Sequence, residues 1–512
     1  MDYFAIAFST VMTAPVLFYT FLGVCMGMFI GALPGLSATM GVAILLPMTF
    51  WLEPSVGLGM LFGIYNSAIY AGGISAILLN MPGTPASISS TFDGYAITKR
   101  GEPRLALWIN TIFSVIGGII GVCLFSIASF PIARFALKFG PPEYAMTALF
   151  GLSMMVAVSG KSIAKGIFSG FLGLGISVIG MDPIWAVKRY TFGQVFLLDG
   201  VSYIPIMIGL FGIGEALKQL YDKSKPADNK NEVNVEVAKE VIETGLLSNT
   251  GRTHLSFVDF WKMKISVLFA SFISVFVGAI PGTGGDIAGL VSWTQCKNFS
   301  KDRENYGKGS EEGLAVTCAA NNACIGGAMT TMLSLGIPGD SVTAILIGAL
   351  MMYNYVPGPL LFKEHPDMVM VIIILLFVCN IFILFMGNLS SKVFAKFTTL
   401  PKSWISTAII GFSLVGSFAL QNNPFDVLVC FVSGLLGFIL ILAEVPTSPL
   451  VLALILGKMV ESNLSRSLLL SKGSYMIFMT RPISAILIIL ILAALVVPII
   501  LDKLAKRKKQ EK

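Results

Sequence analysis

The chain has 512 residues, 55% of them hydrophobic and only 12% charged, with a net charge of +7. Soluble domains carry about 25% charged residues, so a soluble enzyme is excluded, and the basic residues sit in loops between apolar runs, where membrane topology rather than nucleic acid explains them. The apolar runs are continuous, which excludes a β-barrel with its alternating spans; what remains is an all-α polytopic membrane protein embedded in the lipid bilayer.

In chain order, Met1–Thr13 holds Asp2 and no basic residue, so no cleavable leader is expected. The pattern predicts a span over Ala14–Leu33, a short apolar segment over Leu36–Phe50, a turn at Trp51–Pro54 and a span over Val56–Leu79. The short segment falls below the roughly 20 residues of a crossing, so the pair reads as a hairpin or a broken helix. Thr84–Arg104 is polar, with Asp93, Lys99, Arg100 and Arg104, and is read as a solvated loop. Leu105–Ile132, Tyr144–Val158, Ile163–Ile179 and Val195–Leu217 complete a first transmembrane half, residues 1–217. Residues 218–260 are polar and read as a linker.

The second half, residues 261–502, opens with Met263–Ile280, then the short Asp286–Trp293 and the charged Cys296–Gly313. Leu314–Leu335, Val342–Tyr355, Met368–Leu389, Trp404–Leu420, Phe425–Leu442, Pro446–Leu456 and Ile483–Leu501 follow. Residues 503–512 form a basic tail, expected to be cytoplasmic. In all, about 11–14 apolar segments are expected, some of them re-entrant.

The two halves share a punctuation. Gly31-Ala-Leu-Pro-Gly35, Asn66 and Asn80-Met-Pro-Gly-Thr-Pro85 are matched by Gly278-Ala-Ile-Pro-Gly282, Asn322 and Gly336-Ile-Pro-Gly-Asp-Ser341. Asn66 precedes Pro82 by sixteen residues, and Asn322 precedes Pro338 by the same number. The first Pro-Gly pairs are 247 residues apart and the second pairs 256, the trace of a duplicated fold. Interrupted segments at corresponding places in two halves point to a transporter's binding site. Loop charge predicts inversion. The loop after the second Pro-Gly is basic in half one, whereas in half two Cys296–Gly309 is basic and Ser341–Asp367 holds only Lys363. Equivalent loops then face opposite sides.

A helix that restarts after a Pro-Gly turn presents free N–H groups and a partial positive charge, which suit an anion. The candidate substrate-binding set is Gly35, Asn66, Pro82, Gly83, Thr84, Gly282, Asn321, Asn322, Pro338, Gly339 and Ser341, with hydroxyls from Ser87 and Thr343 beside it. Helix capping or interhelical hydrogen bonding is the competing reading of each hydroxyl and amide taken singly. Asp286 and Asp340 lie in the turns, where an acid is costly and marks function. Asp340 either holds a coupling cation, Na+ or H+, or caps the following helix. Asp93, Asp182 and Asp199 are read as solvated.

No cofactor or metal is expected: the seven cysteines are scattered, and His254 and His365 lie in polar loops. An intramembrane aspartyl protease is disfavoured, because Thr283 replaces the first Gly of Gly-x-Gly-Asp at Asp286 and no Tyr-Asp dipeptide lies in a neighbouring span. A channel or scaffold without coupled transport is the other alternative, although no ring of like charge or filter repeat is present.

These strings, with Phe92-Asp-Gly-Tyr95, Gly180-Met-Asp-Pro183, Arg189-Tyr-Thr-Phe-Gly193, Tyr306-Gly-Lys-Gly309, Ala320-Asn-Asn-Ala323, Val356-Pro-Gly-Pro359 and Arg481-Pro-Ile-Ser484, run in order over nearly the whole chain. In them the sequence resembles the large membrane subunit of the tripartite tricarboxylate transporter family. The resemblance implies a secondary-active importer of organic carboxylates in the bacterial cytoplasmic membrane, driven by an ion gradient. It also implies a small integral membrane subunit and a periplasmic solute-binding protein as partners, and no enzymatic activity. The chain departs from the family pattern in lacking an acid in Val316–Ala319, in having Asp340 where a small hydroxyl residue is common, and at Lys458 and Ser474.

Overall fold

The computed structural model describes residues 2–33, 35–158, 162–182, 184–224, 252–397 and 402–510. The first half runs α1 (Asp2–Val11), α2 (Ala14–Ala32), α3 (Ala38–Thr49), α4 (Pro54–Leu79), a 3-10 turn (Pro85–Ser90), α5 (Thr91–Lys99), α6 (Pro103–Ala136), α7 (Pro141–Val158) and α8 (Ile163–Ser177). A two-stranded antiparallel hairpin follows, β1 (Gly180–Met181) with β2 (Lys188–Arg189), Gly180 facing Arg189. Then come α9 (Tyr203–Met207), a π-helical turn (Ile208–Ile213) and α10 (Gly214–Ser224). Most of the expected linker, residues 225–251, lies outside the described residues.

The second half runs α11 (Phe257–Lys262), α12 (Lys264–Gly278), α13 (Gly284–Phe299), α14 (Glu311–Leu335), α15 (Ser341–Met352), α16 (Pro359–Glu364) and α17 (Pro366–Phe397). It closes with α18 (Lys402–Gln421), α19 (Pro424–Leu442), α20 (Ser448–Leu470), α21 (Ile477–Thr480) and α22 (Pro482–Gln510). The protein is therefore an all-α, multi-pass membrane protein. Among the described residues, five helices are long and apolar enough to cross a bilayer, and α3, α8, α12 and α15 are apolar but shorter.

Local chemistry sets the ends of the two central helices. α4 starts with Pro54 in its first turn, where a missing N–H costs nothing, and stops at Asn80 in the left-handed region (φ 55°). α14 starts behind Ser310, whose side chain accepts from Gly313 N, and stops at Gly336, also left-handed (φ 72°). Every residue of α4 from Ser55 to Leu79 is buried, as are Gly313–Ser334 of α14. A helix apolar all round belongs in the middle of a bundle.

Glycine lets the neighbours come close. Gly23, Gly27 and Gly31 of α2 face Met60, Ile64 and Ala68 of α4, and a Cβ on any of them would meet backbone at 2.2–2.5 Å. The numbers rise together, so α2 and α4 run in the same direction. The same holds for α12 and α14, where Gly278 meets the Cys324 carbonyl and Ser274 donates to the Ala320 carbonyl.

The long helix of each half packs on the centre of the other. α6 lies along α14, with Gly117 against the Ala319 carbonyl and Gly121 against that of Ala323, running in the same direction. α17 lies along α4, with Gly59 near Leu375 and Gly387 near the Tyr70 hydroxyl, again in the same direction. α6 and α17 themselves are antiparallel: Gly118 faces Asn380 and Thr111 faces Gly387.

Several segments differ from the sequence expectation. Val195–Leu217, expected as one span, begins with a 3-10 turn at Val195–Leu197, and its helix starts only at Tyr203 and runs on to Ser224. Residues 84–104, expected as a loop, hold the 3-10 turn and α5. Asp93, read as solvated, is buried, because its carboxylate has four N–H donors inside the protein. α13 and α20 both continue past their apolar stretches, to Phe299 and Leu470.

Candidate substrate and ion site

The two Pro-Gly turns that follow α4 and α14 dock in the same way. Gly83 N donates to the Gly72 carbonyl at 3.2 Å, and a Cβ on Gly83 would lie 2.0 Å from the Gly31 oxygen. A Cβ on Gly339 would lie 2.6 Å from Ala328 Cα and 2.7 Å from the Gly278 oxygen. Gly72 and Ala328 are 256 residues apart, as are Gly83 and Gly339, and Gly31 and Gly278 open the matched strings. Each returning chain thus rests on the same two places of its own half.

After each turn a capping box starts the next helix. In half one Thr84 and Ser87 cap one another's backbone groups. In half two Asp340 Oδ1 accepts from Thr343 N at 2.7 Å, and Asp340 N donates to Thr343 Oγ1 at 2.9 Å. Capping is therefore what Thr84 and Asp340 do locally, and the N-terminus of α15 is already occupied by its own carboxylate.

The earlier turns are bent the same way, with positive φ at Gly35 (92°) and Gly282 (80°), a conformation glycine adopts freely. Their surroundings differ. Gly282 N donates to the Gly339 carbonyl at 2.7 Å, so the two turns of half two are joined directly. The Gly35 carbonyl instead accepts from Gln219 Nε2 at 2.7 Å, and Gly35 is exposed.

The halves meet at the start of α13. Gly284 comes against Asp340 Cβ, Gly285 against Ala86 and the Asn321 side-chain oxygen, and Gly289 against Ser89. Asp286, in the first turn of α13, stands two residues after Gly284, which comes against Asp340 Cβ. It is exposed. Tyr65, beside Asn66 on α4, donates to Asp340 Oδ2 at 2.5 Å. No ion pair among the described residues includes Asp286 or Asp340.

Three amides at this level lack partners. Asn66 Nδ2, Asn321 Oδ1 and both polar atoms of the Asn322 side chain are buried without a hydrogen bond, as is Ser89 Oγ. Such groups cost about 1–3 kcal/mol each when left unpaired, and several together in a native protein call for an explanation. Ser341 is paired, its hydroxyl sharing a 2.8 Å hydrogen bond with Ser448 at the start of α20.

Of the expected residues, Gly282, Pro338–Gly339, Asp340, Asp286 and Asn321 are brought together through contacts with α13. Asn66 is adjacent in sequence to Tyr65, the partner of Asp340, and Pro82–Gly83–Thr84 precede Ala86, which meets Gly285. Gly35 is tied instead to α10 through Gln219. Sequence reasoning missed Tyr65 and Ala86: a buried Tyr in an apolar helix reads as packing, and its partner is 275 residues away.

A second cluster fixes one face. Asp93 Oδ1 accepts from Gly307, Gly309 and Ser310 N at 2.8–3.0 Å, and Oδ2 from Trp293 Nε1 at 2.8 Å. This holds the basic loop after α13 beside α5. Nearby, Arg252 bridges Glu102 (3.0 Å) and Glu311. The hydrogen bond and charge of Arg252 hold the Glu102 carboxyl below its ordinary pKa, and Glu102 and Glu311 together raise that of Arg252. On the opposite side Tyr353 donates to the Thr49 carbonyl, joining two turns that lack basic residues.

Residues 17–452 match the family described as the tripartite tricarboxylate transporter TctA family. An uncharacterized 52.8 kDa protein in the TAR-I ttuC' 3'region of Agrobacterium vitis is 32% identical over 506 residues, covering 99% of this chain and 97% of that protein. An uncharacterized protein in the TAR-II ttuC' 3'region of the same organism is 32% identical over 231 residues, covering 45% of this chain and 96% of that protein. No solved structure matches.

Proposed function

The chain belongs to the tripartite tricarboxylate transporter TctA family, and on that premise we propose that it is the large permease subunit of an ion-gradient-driven importer of organic carboxylates. The observation that carries the reading is the set of unpartnered amides of Asn66, Asn321 and Asn322 between two broken-helix turns. The carboxylate oxygens of an organic anion supply the acceptors that Asn66 Nδ2 and Asn322 Nδ2 lack, and a hydroxyl on the same anion would supply a donor to Asn321 or Asn322 Oδ1. Thr84 and Ser89 stand beside them. The anion binds toward the neutral turn of half one, since Asp340 fills the start of α15 and would repel a carboxylate.

The cation reading has its own support. Asp286 is exposed and Asp340 half-buried; in the ion pairs among the described residues neither has a basic partner, and a carboxylate in the apolar part of a membrane protein marks function. Na+ or H+ would neutralise them and bind together with the anion, which couples the two fluxes.

Inverted-repeat architecture agrees with the helix directions: α4 runs with α17, α14 runs with α6, and α6 opposes α17. Basic loops gathered by Asp93 and Arg252 mark the cytoplasmic face under the positive-inside rule. From membership of a tripartite family we infer a bacterial inner-membrane location, a small membrane subunit and a periplasmic solute-binding protein.

The test is uptake of a labelled carboxylate panel by cells expressing this chain with a candidate small subunit and binding protein, each omitted in turn, with and without sodium. Concentrative uptake that needs all three and collapses with an ionophore is the expected result. Absence of uptake of every carboxylate with all three expressed overturns the substrate class.

A further inference from the structure

The two capping boxes occupy equivalent places and differ in charge. An offset of 256 places Thr84 on Asp340, Ser87 on Thr343 and Tyr65 on Asn321. In half one the box is neutral. In half two it carries a carboxylate, and that carboxylate has a further partner that half one lacks: the hydroxyl of Tyr65, fully buried, donates to Oδ2 at 2.5 Å. The position equivalent to Tyr65 is Asn321, whose side-chain oxygen has no partner. The repeat has diverged where the charge sits.

The two oxygens of Asp340 are held differently. Oδ1 accepts from Thr343 N and Thr343 Oγ1, both at 2.7 Å and both on the helix it caps. Oδ2 is held by a residue of the other half. We propose that Tyr65 is a positioning residue of the cation site: its hydroxyl holds Asp340 Oδ2 while the site is empty, and the coupling cation displaces it. The proposal rests on the coupled-transport reading above.

The physical argument is one of charge. A tyrosine hydroxyl gives the carboxylate a charge-assisted hydrogen bond but no counter-charge, and a further acid, Asp286, follows Gly284, which comes against Asp340 Cβ. A cation brings the missing charge, so it competes favourably for Oδ2. Exchange of partners releases α4 from the turn before α15, and cation occupancy then biases how α4 sits against that turn. A latch of this kind keeps the empty site from remaining open between cycles.

The experiment uses the full chain purified in detergent. Thermal unfolding is followed against sodium, with choline keeping the ionic strength constant, and along a pH series in choline alone. The variants are Tyr65→Phe, Asp340→Asn and the pair together. A hydrogen bond to a charged group corresponds to roughly tenfold in equilibrium. Tyr65→Phe is therefore expected to lower the half-effective sodium concentration about tenfold. If the proton is the ligand, the midpoint of the pH series moves up by about one unit. Asp340→Asn is expected to abolish the cation response in both backgrounds. A purely structural Tyr65 lowers the unfolding temperature and leaves the half-effect point where it was; that result overturns the proposal. A wild type without any cation response overturns it as well. Uptake by the wild type with its partners is measured in parallel, and its absence counts against the transport reading, since the cation response is read on purified protein.

Discussion

Gly83 and Gly339 occupy the same place in the two halves, each pressed onto the backbone of its own half where the chain turns back after a central helix. The contacts are with main-chain atoms of packed helices, which cannot step aside as a flexible side chain would. Gly83→Ala and Gly339→Ala should each destabilise the protein by on the order of 3 kcal/mol, with Gly83→Ala the worse because its added Cβ would stand 2.0 Å from the Gly31 oxygen. Thermal unfolding of the purified variants checks this; equal melting of Gly83→Ala and wild type would refute the docking described.

Asn322→Leu separates binding from folding. Its amide is buried and unpartnered, so an apolar replacement of similar shape removes a desolvation cost of about 1–3 kcal/mol and breaks no hydrogen bond. Melting temperature is expected to hold or rise while uptake falls by tenfold or more. A variant that transports normally removes Asn322 from the substrate site.

Thr84→Ala has two effects. It removes a cap worth roughly 0.5–2 kcal/mol and a hydroxyl beside the proposed anion. Uptake per folded molecule, normalised to membrane expression, should drop more than the melting temperature predicts. Parallel losses would assign Thr84 to folding alone.

Asp93→Ala leaves three backbone N–H groups and the Trp293 indole without an acceptor. At roughly 1–3 kcal/mol for each unpaired group, the variant should fail to accumulate. Asp93→Asn keeps one acceptor oxygen and should fall between. The emission of Trp293 in Asp93→Asn should shift from that of the wild type; an unchanged spectrum with wild-type stability would show the cluster to be dispensable.

Arg252→Ala tests the tie between the starts of α6 and α14. Arg252 is half-exposed, so the loss is small, about 0.2–1 kcal/mol per pair. Because the Glu102 carboxyl is held below its ordinary pKa by this partner, the contribution is complete at neutral pH. It disappears as the pH falls through that lowered value and Glu102 takes up a proton. Melting curves of wild type and variant should therefore differ near neutrality and converge in acid; a gap that persists in acid would place the effect elsewhere.

The central pair of helices, their Pro-Gly ends and the buried asparagines were legible because backbone breakers inside apolar sequence leave few structural options. Asp93 was misread for a physical reason. Its stretch, rich in charge, matches a solvated loop, and only the returning chain at Gly307–Ser310 supplies the donors that let a carboxylate be buried. Tyr65 was invisible for the converse reason: its neighbours are apolar, and nothing local distinguishes a packing tyrosine from one that reaches a carboxylate in the other half. Gly35 shows the limit of symmetry. It shares its bend with Gly282, but its carbonyl is taken by Gln219 rather than by a partner turn.

The exchange of long helices has a mechanical consequence. α6 belongs by sequence to half one yet meets α14 at backbone contact through Gly117 and Gly121, and α17 meets α4 from the other side. The bodies that can slide past one another in a transport cycle are therefore not the two sequence halves. Each carries a beam borrowed from its twin, and a stroke that separated residues 1–217 from 261–502 would have to break both the α6–α14 and the α4–α17 seams.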